Sequence, residues 1–301
     1  MISTAPASTA LNGKINGTVK TYQWQWQDQP ITITYETVGT GSPVLLLPAL
    51  STVSNRHEMA ALAACLAPYF QVFAIDWPGF GDSERLRLEY QPAFYQQFLQ
   101  DFVTAQFNEP IMAVAAGHGA GYAAALPNVW SKLVLVAPTW RGPLAVMGAP
   151  EGMRSGLREL VRSPLIGQAL YSLNTQPAFL KWMYRRHVFV DEAKLTPDYI
   201  AERHRSTQQP GGRYAPAAFV TGGLDPVQTR AEFLALVERQ SIPVMVMVAE
   251  QAPPSSKAEM EAMAALPNVQ TSRQPGTLGM AEEYGEAIAA AMLPFLQAAN
   301  G

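Results

Sequence analysis

Five short apolar runs, at residues 44–47, 71–75, 111–116, 133–137 and 244–248, are interrupted by almost no polar residues. Unbroken runs of that length mark strands buried on both faces, as in parallel sheets, whereas a half-exposed strand alternates. Helical patterns separate them, over 55–66, 92–107, from Ala120 onward, and over 226–239 and 256–265. A short strand at 269–272 and a final amphipathic helix over 280–297 close the chain, the latter placing Tyr284, Ile288, Met292 and Phe295 on one face. Repeated strand–helix alternation predicts an α/β fold, a mostly parallel, doubly wound sheet. Ahead of it, alternating segments at 21–27 and 31–38 around Asp28-Gln29-Pro30 predict an N-terminal antiparallel hairpin.

Between 138 and 222 the apolar strand runs disappear and aromatics accumulate at helical spacing, among them Trp140, Tyr171, Phe179, Trp182 and Tyr184. This predicts one domain with an insertion: a flexible tail over 1–20, a first core half over 21–138, a helical cap over 139–222 and a second core half over 223–301. The chain has 301 residues and 48% hydrophobic content, enough for one large core. Only 15% of residues are charged, against roughly 25% in ordinary soluble domains. The surface is therefore expected to be rich in uncharged polar side chains, with some apolar area.

Net charge is −3 and no long basic run occurs, which argues against a nucleic-acid partner. No apolar stretch has the length of a transmembrane span, and none near the start resembles a signal peptide, so a cytoplasmic protein is expected. The single cysteine, Cys65, sits in an apolar helical stretch and reads as a structural thiol. No metal-ligand spacing and no phosphate-binding glycine loop occurs, so no cofactor is expected.

Gly117-His118-Gly119-Ala120-Gly121 follows the 111–116 run with the spacing of a nucleophile elbow, G-x-S-x-G, but Gly119 stands where the serine would be. Asp76-Trp77-Pro78-Gly79-Phe80-Gly81-Asp82-Ser83 is similar to the D-x-x-G-x-G-x-S loop of the α/β-hydrolase superfamily. Pro275 to Glu283 resembles that family's G-x-H-x-x-x-x-E segment. In this order, on this strand pattern, the chain from about Tyr22 onward resembles an α/β-hydrolase.

The resemblance implies a nucleophile, an acid and a histidine, the last taking the proton of the first while the acid fixes its tautomer. The matching positions are Gly119, Ala252 and Leu278, and no histidine follows His204. Losing such a triad costs about a millionfold in turnover. The resemblance thus implies a member with a degenerate triad, binding a small apolar ligand or a protein partner.

The alternative is a hydrolase or lyase with relocated chemistry, for which His118, His57 and Ser51 are the candidates. His118 reads first as a hydrogen-bonded core histidine, or as a base reaching the pocket through the room Gly119 leaves. His57, three residues past Ser54, reads as a surface or capping residue or as that serine's base. Asp225 and Glu250 are acids without an evident histidine partner, and His187 and His204 read as solvated. Leu50, Ser51, Val53, Trp77, Ala120, Trp140 and Arg141 are expected to line one aromatic crevice at the sheet's C-terminal edge. Backbone N–H groups of Leu50 and Ala120 are its candidate oxyanion donors.

Overall fold

The computed structural model describes residues 13–299. Eight strands form one sheet in the order β1-β2-β4-β3-β5-β6-β7-β8: Thr18–Trp26, Gln29–Val38, Pro43–Leu47, Gln71–Ile75, Ile111–Ala116, Trp130–Val136, Val244–Ala249 and Val269–Gln274, numbered along the chain. β1 pairs antiparallel with β2, and β2 antiparallel with β4, while every other pairing is parallel. The sheet and an N-terminal hairpin are as the sequence predicts, but β1 begins at Thr18, within the expected tail, and Gln29 and Pro30 pair in β2 instead of forming the turn; residues 1–12 of that tail lie outside the described residues. β3, β5 and β7 are buried along their length because helices cover both faces.

One layer contains α1 (Ala60–Leu66), α12 (Met280–Glu283) and α13 (Gly285–Gln297). The other contains α2 (Pro92–Gln106), α3 (Gly119–Ala125), α10 (Arg230–Glu238) and α11 (Pro254–Ala264). The predicted last helix is two helices, broken at Tyr284, and the predicted helix at 226–239 starts only at Arg230, behind a Thr229–Glu232 capping box. Aromatic edge-to-face contacts among Trp24, Phe94, Phe98 and Trp77 join β1 and the loop after β4 to α2.

Between β6 and β7 the chain is helical before it returns to the core: α4 (Pro143–Val146), α5 (Glu151–Arg162), α6 (Ile166–Asn174), α7 (Pro177–Met183), α8 (Pro197–Thr207) and α9 (Tyr214–Val220). Tyr184, Phe189, Leu195, Tyr199 and Ile200 form a second small core there, and Val53 of the body packs into it. Among the described residues no helix is long and apolar enough to cross a membrane.

A buried ionic cluster ties β2, the end of β4 and the 3-10 turn Arg56–Met59 together. The Arg56 guanidinium donates to Glu36 on β2 (3.1 Å), to Asp76 and to Asp82 (2.8 Å). Its backbone N–H also donates to Asp76 Oδ1 at 2.6 Å. Arg56 and Asp76 are 4% and 0% exposed, so removing the cation leaves carboxylates without compensation in low dielectric. Arg56→Met is expected to cost about 3–5 kcal/mol of unfolding free energy, read from urea denaturation.

Candidate functional site

β5 ends at Ala116 and the turn into α3 is made by Gly117, whose φ is +51°, followed by His118 in ordinary helical conformation. The left-handed residue is thus Gly117, and Gly119 already lies in the first turn of α3. A side chain at 119 points at the body: a Cβ there would lie 2.8 Å from the Pro48 carbonyl oxygen and 3.6 Å from the Trp77 ring. A Cβ on Gly117 would lie 2.9 Å from Ala49 Cβ. The loop after β3 therefore rests directly on both glycines, and no larger residue fits without moving it.

Two neighbouring residues hold that loop down. The Trp77 indole N–H donates to the Pro48 carbonyl at 2.8 Å, and Asp76 binds Arg56 at the loop's other end. Trp77 is fully buried against Tyr95, Phe98 and Tyr122 and presents no face to a crevice. Leu50 is part of the main core. The Ala120 N–H, an expected oxyanion donor, is taken by the Gly117 carbonyl at 3.2 Å.

The remaining expected pocket residues fall in two other places. Val53 meets the insertion, and Ser51 bonds within its own loop. The Ser54 hydroxyl donates to Ser51 Oγ (2.9 Å) and lies 3.4 Å from Glu58, and Glu58 in turn faces Arg203 of α8 at 3.7 Å. Arg203 also binds Glu282, which accepts from the Tyr199 hydroxyl at 2.9 Å, and reaches the Val53 carbonyl. One buried guanidinium thus faces two carboxyls. Burial raises the Glu58 carboxyl to about 8, with the neighbouring Glu282 adding to the shift, and burial raises Glu282 as well. No spacing rule pointed to this cluster, because α8 supplies half of it from 145 residues away in sequence.

Trp140 and Arg141 lie apart, in a shallow cleft with Pro138, Thr139, Ser255 and Glu259. The Arg141 guanidinium stacks on Trp140 at 4.9 Å and faces Glu259 at 3.6 Å.

His118 is buried and hydrogen-bonded, as its first reading has it, whereas His57 and His204 differ from expectation. His57 does not pair with Ser54. Its backbone N–H is capped by Asn55, its Nδ1 is buried without a partner, and burial, with Arg56 second, lowers its pKa. His204 is held by the Thr175 carbonyl at 2.7 Å rather than solvated. Asp225, expected to lack a histidine partner, lies 3.4 Å from His118 Nε2, while Thr139 Oγ1 lies 3.1 Å from His118 Nδ1. Asp225 is fixed by the Gly142 N–H at 2.7 Å.

Ala252 sits in the turn after β7 with its N–H on the Ala249 carbonyl. Leu278 packs on the core, and its neighbours Thr277 and Gly279 both donate to the Val188 carbonyl of the insertion. Glu283 accepts the Val190 and Asp191 N–H groups at 2.9 and 2.7 Å, so this segment clamps the insertion to the body. Among the described residues no group of three or more His, Cys, Asp or Glu side chains converges as a metal site.

Gly119→Ala should destabilise by about 1–3 kcal/mol, unlike Gly→Ala in an open helix, where the change stabilises; thermal unfolding separates the two. Glu58 gives a pH signature. A carboxyl that titrates near 8 in the fold and near 4.5 unfolded stabilises in its protonated form, so its contribution is full at acid pH and is lost as pH rises through about 8. Glu58→Gln should flatten the decline of the urea midpoint between pH 5 and 8.

A model of the alpha/beta hydrolase family matches residues 44–291. A comparison with curated protein sequences gave no match. Among solved structures, the chain is similar to a thermophilic esterase from Thermogutta terrifontis, with a TM-score of 0.71 and 19% identity over 93% of this chain and 98% of that one. It is also similar to the haloalkane dehalogenase DatA from Agrobacterium tumefaciens, with 0.70 and 17% over 97% and 99%. The epoxide hydrolase CorEH gives 0.68 and 17% over 92% and 98%. At these identities the structural likenesses speak for the fold, and the family match over most of the length makes the assignment: the chain belongs to the alpha/beta hydrolase family.

Proposed function

We propose that this protein is a non-hydrolytic member of the family, its degenerate triad marked by Gly119, Ala252 and Leu278, and that it acts by binding. The observation that carries this reading is the seating of Pro48 and Ala49 on Gly117 and Gly119, which occupies the space a nucleophile's side chain needs. A substrate carbonyl placed there would meet neither a hydroxyl nor a free oxyanion donor at Ala120. The space between strand ends and insertion is taken up by the Arg203–Glu58–Glu282 cluster and by Val53, Tyr184 and Tyr199. That filling favours a partner bound at the surface over a small apolar ligand held inside.

A second reading rests on one specific contact set. Thr139, His118 and Asp225 lie in the order hydroxyl, imidazole, carboxylate, the order of an acyl-transfer triad, and Thr139 borders the shallow cleft at Trp140. This is relocated chemistry with His118 as base. The same contacts equally satisfy a core histidine, which is why it stands second.

Hydrolysis of a panel of short- and medium-chain activated esters tests both. Wild type should show no turnover above buffer, and Gly119→Ser should not gain any, because its Cβ meets the Pro48 carbonyl. Wild-type turnover that falls at least about a hundredfold in both His118→Ala and Thr139→Val, with folding intact, would instead establish the relocated site.

A further inference from the structure

Of the twelve large hydrophobic side chains exposed among the described residues, ten lie between Val146 and Val190, in the insertion. Leu165 is 85% exposed, Met147 79% and Trp182 51%. Helix α5 carries apolar side chains on both its sides. Arg154 and Arg158 point inward beside the half-buried Leu157 and Val161, Arg154 donating to the Ala149 and Thr221 carbonyls and Arg158 to the Thr221 hydroxyl, while Met153 and Leu160 face solvent with Glu151 and Glu159. No residue of α5 is buried. A helix on a free surface keeps its outer side polar, so the exposed Met153 and Leu160, with Leu165 and Trp182 beyond them, mark a face built to be covered.

Charge says by what. Residues 139–222 contain eleven Lys and Arg against six Asp and Glu, and with Arg154, Arg158 and Arg203 turned to the body the surface keeps eight cations against six carboxylates, while the rest of a chain that totals −3 carries −8. On α7 and the turn after it, Lys181, Arg185 and Arg186 are exposed beside the contacting Phe179–Trp182 pair, ring centroids 5.7 Å apart and planes tilted by 34°. The Arg186 guanidinium lies 6.0 Å from the Trp182 ring centroid. Exposed Trp, Phe and Leu among cations are what an interfacial, lipid-facing surface requires: the rings enter the headgroup boundary while the cations meet anionic headgroups. A two-fold copy of the same face would set like charge against like.

We infer that the outer face of the insertion, α5 to α7, docks on an anionic lipid surface, with Leu165 and Trp182 as apolar anchors and Lys181 and Arg186 as headgroup contacts. This docking is independent of whether the chain turns over a substrate. It holds the acidic body away from the membrane and the basic insertion against it.

Co-sedimentation of the full chain with phosphatidylcholine vesicles, with and without phosphatidylglycerol, tests it. Binding is expected to the phosphatidylglycerol vesicles and to weaken as salt is raised. Lys181→Gln and Arg186→Gln should each lower the partition coefficient roughly fivefold. Leu165→Ser with Trp182→Gln should abolish binding while leaving the unfolding temperature unchanged, since both side chains are exposed. Three results would overturn the inference: no sedimentation with phosphatidylglycerol vesicles, equal sedimentation with phosphatidylcholine alone, or full binding by the variants. Self-association in vesicle-free buffer that Leu165→Ser removes would also overturn it, by assigning the face to a second copy.

Discussion

The pairing of Asp76 and Trp77 with the two ends of one loop is the constraint on which the centre of this molecule depends. Asp76 takes the backbone and guanidinium of Arg56, and Trp77 takes the Pro48 carbonyl, so the chain between β3 and α1 is fixed at both ends by adjacent residues. Each bond is buried and therefore costly to leave unmade. Held in this way, Pro48 and Ala49 lie on the turn after β5, and the turn must be glycine at 117 and 119. The absence of a side chain at Gly119 is in this sense a packing requirement of the fold as it stands.

The insertion is joined to the body by a second set of polar contacts of the same kind. Glu282 and Glu283, consecutive on α12, bind the insertion at Arg203 and at the Val190–Asp191 backbone. Val188 accepts from Thr277 and Gly279. In the segment that resembles the family's histidine-bearing tail, the polar groups therefore anchor the insertion. The surplus carboxyl of Glu58 adds a pH-sensitive element to that joint, because one guanidinium cannot neutralise two buried carboxylates.

Much of the architecture was legible in the sequence for a simple reason. A strand buried on both faces must be apolar throughout, and the runs at 44–47, 111–116 and 244–248 admit few other readings. Boundaries set by capping were less legible. Residues 226–229 look helical but precede the Thr229 cap, and the break at Tyr284 interrupts a continuous apolar face. The expected single crevice divided into three places because its residues come from loops, whose direction depends on what the loop is tied to. Trp77 turned inward to Pro48, Val53 turned to α8, and Trp140 turned to Glu259 through Arg141.

By itself the sequence determined the doubly wound sheet, the position of the helical insertion and which residues stand at Gly119, Ala252 and Leu278, since these follow from local periodicity and motif spacing. Tertiary structure alone decided what surrounds those positions. That Pro48 covers the turn, that Asp225 meets His118 and that Glu58 shares Arg203 with Glu282 are contacts between residues 71, 107, 145 and 79 positions apart, whose juxtaposition no local pattern encodes. The orientation of α5 belongs to the same class. Its periodicity announces an amphipathic helix, but only the bonds from Arg154 and Arg158 to Thr221 fix which side faces the body.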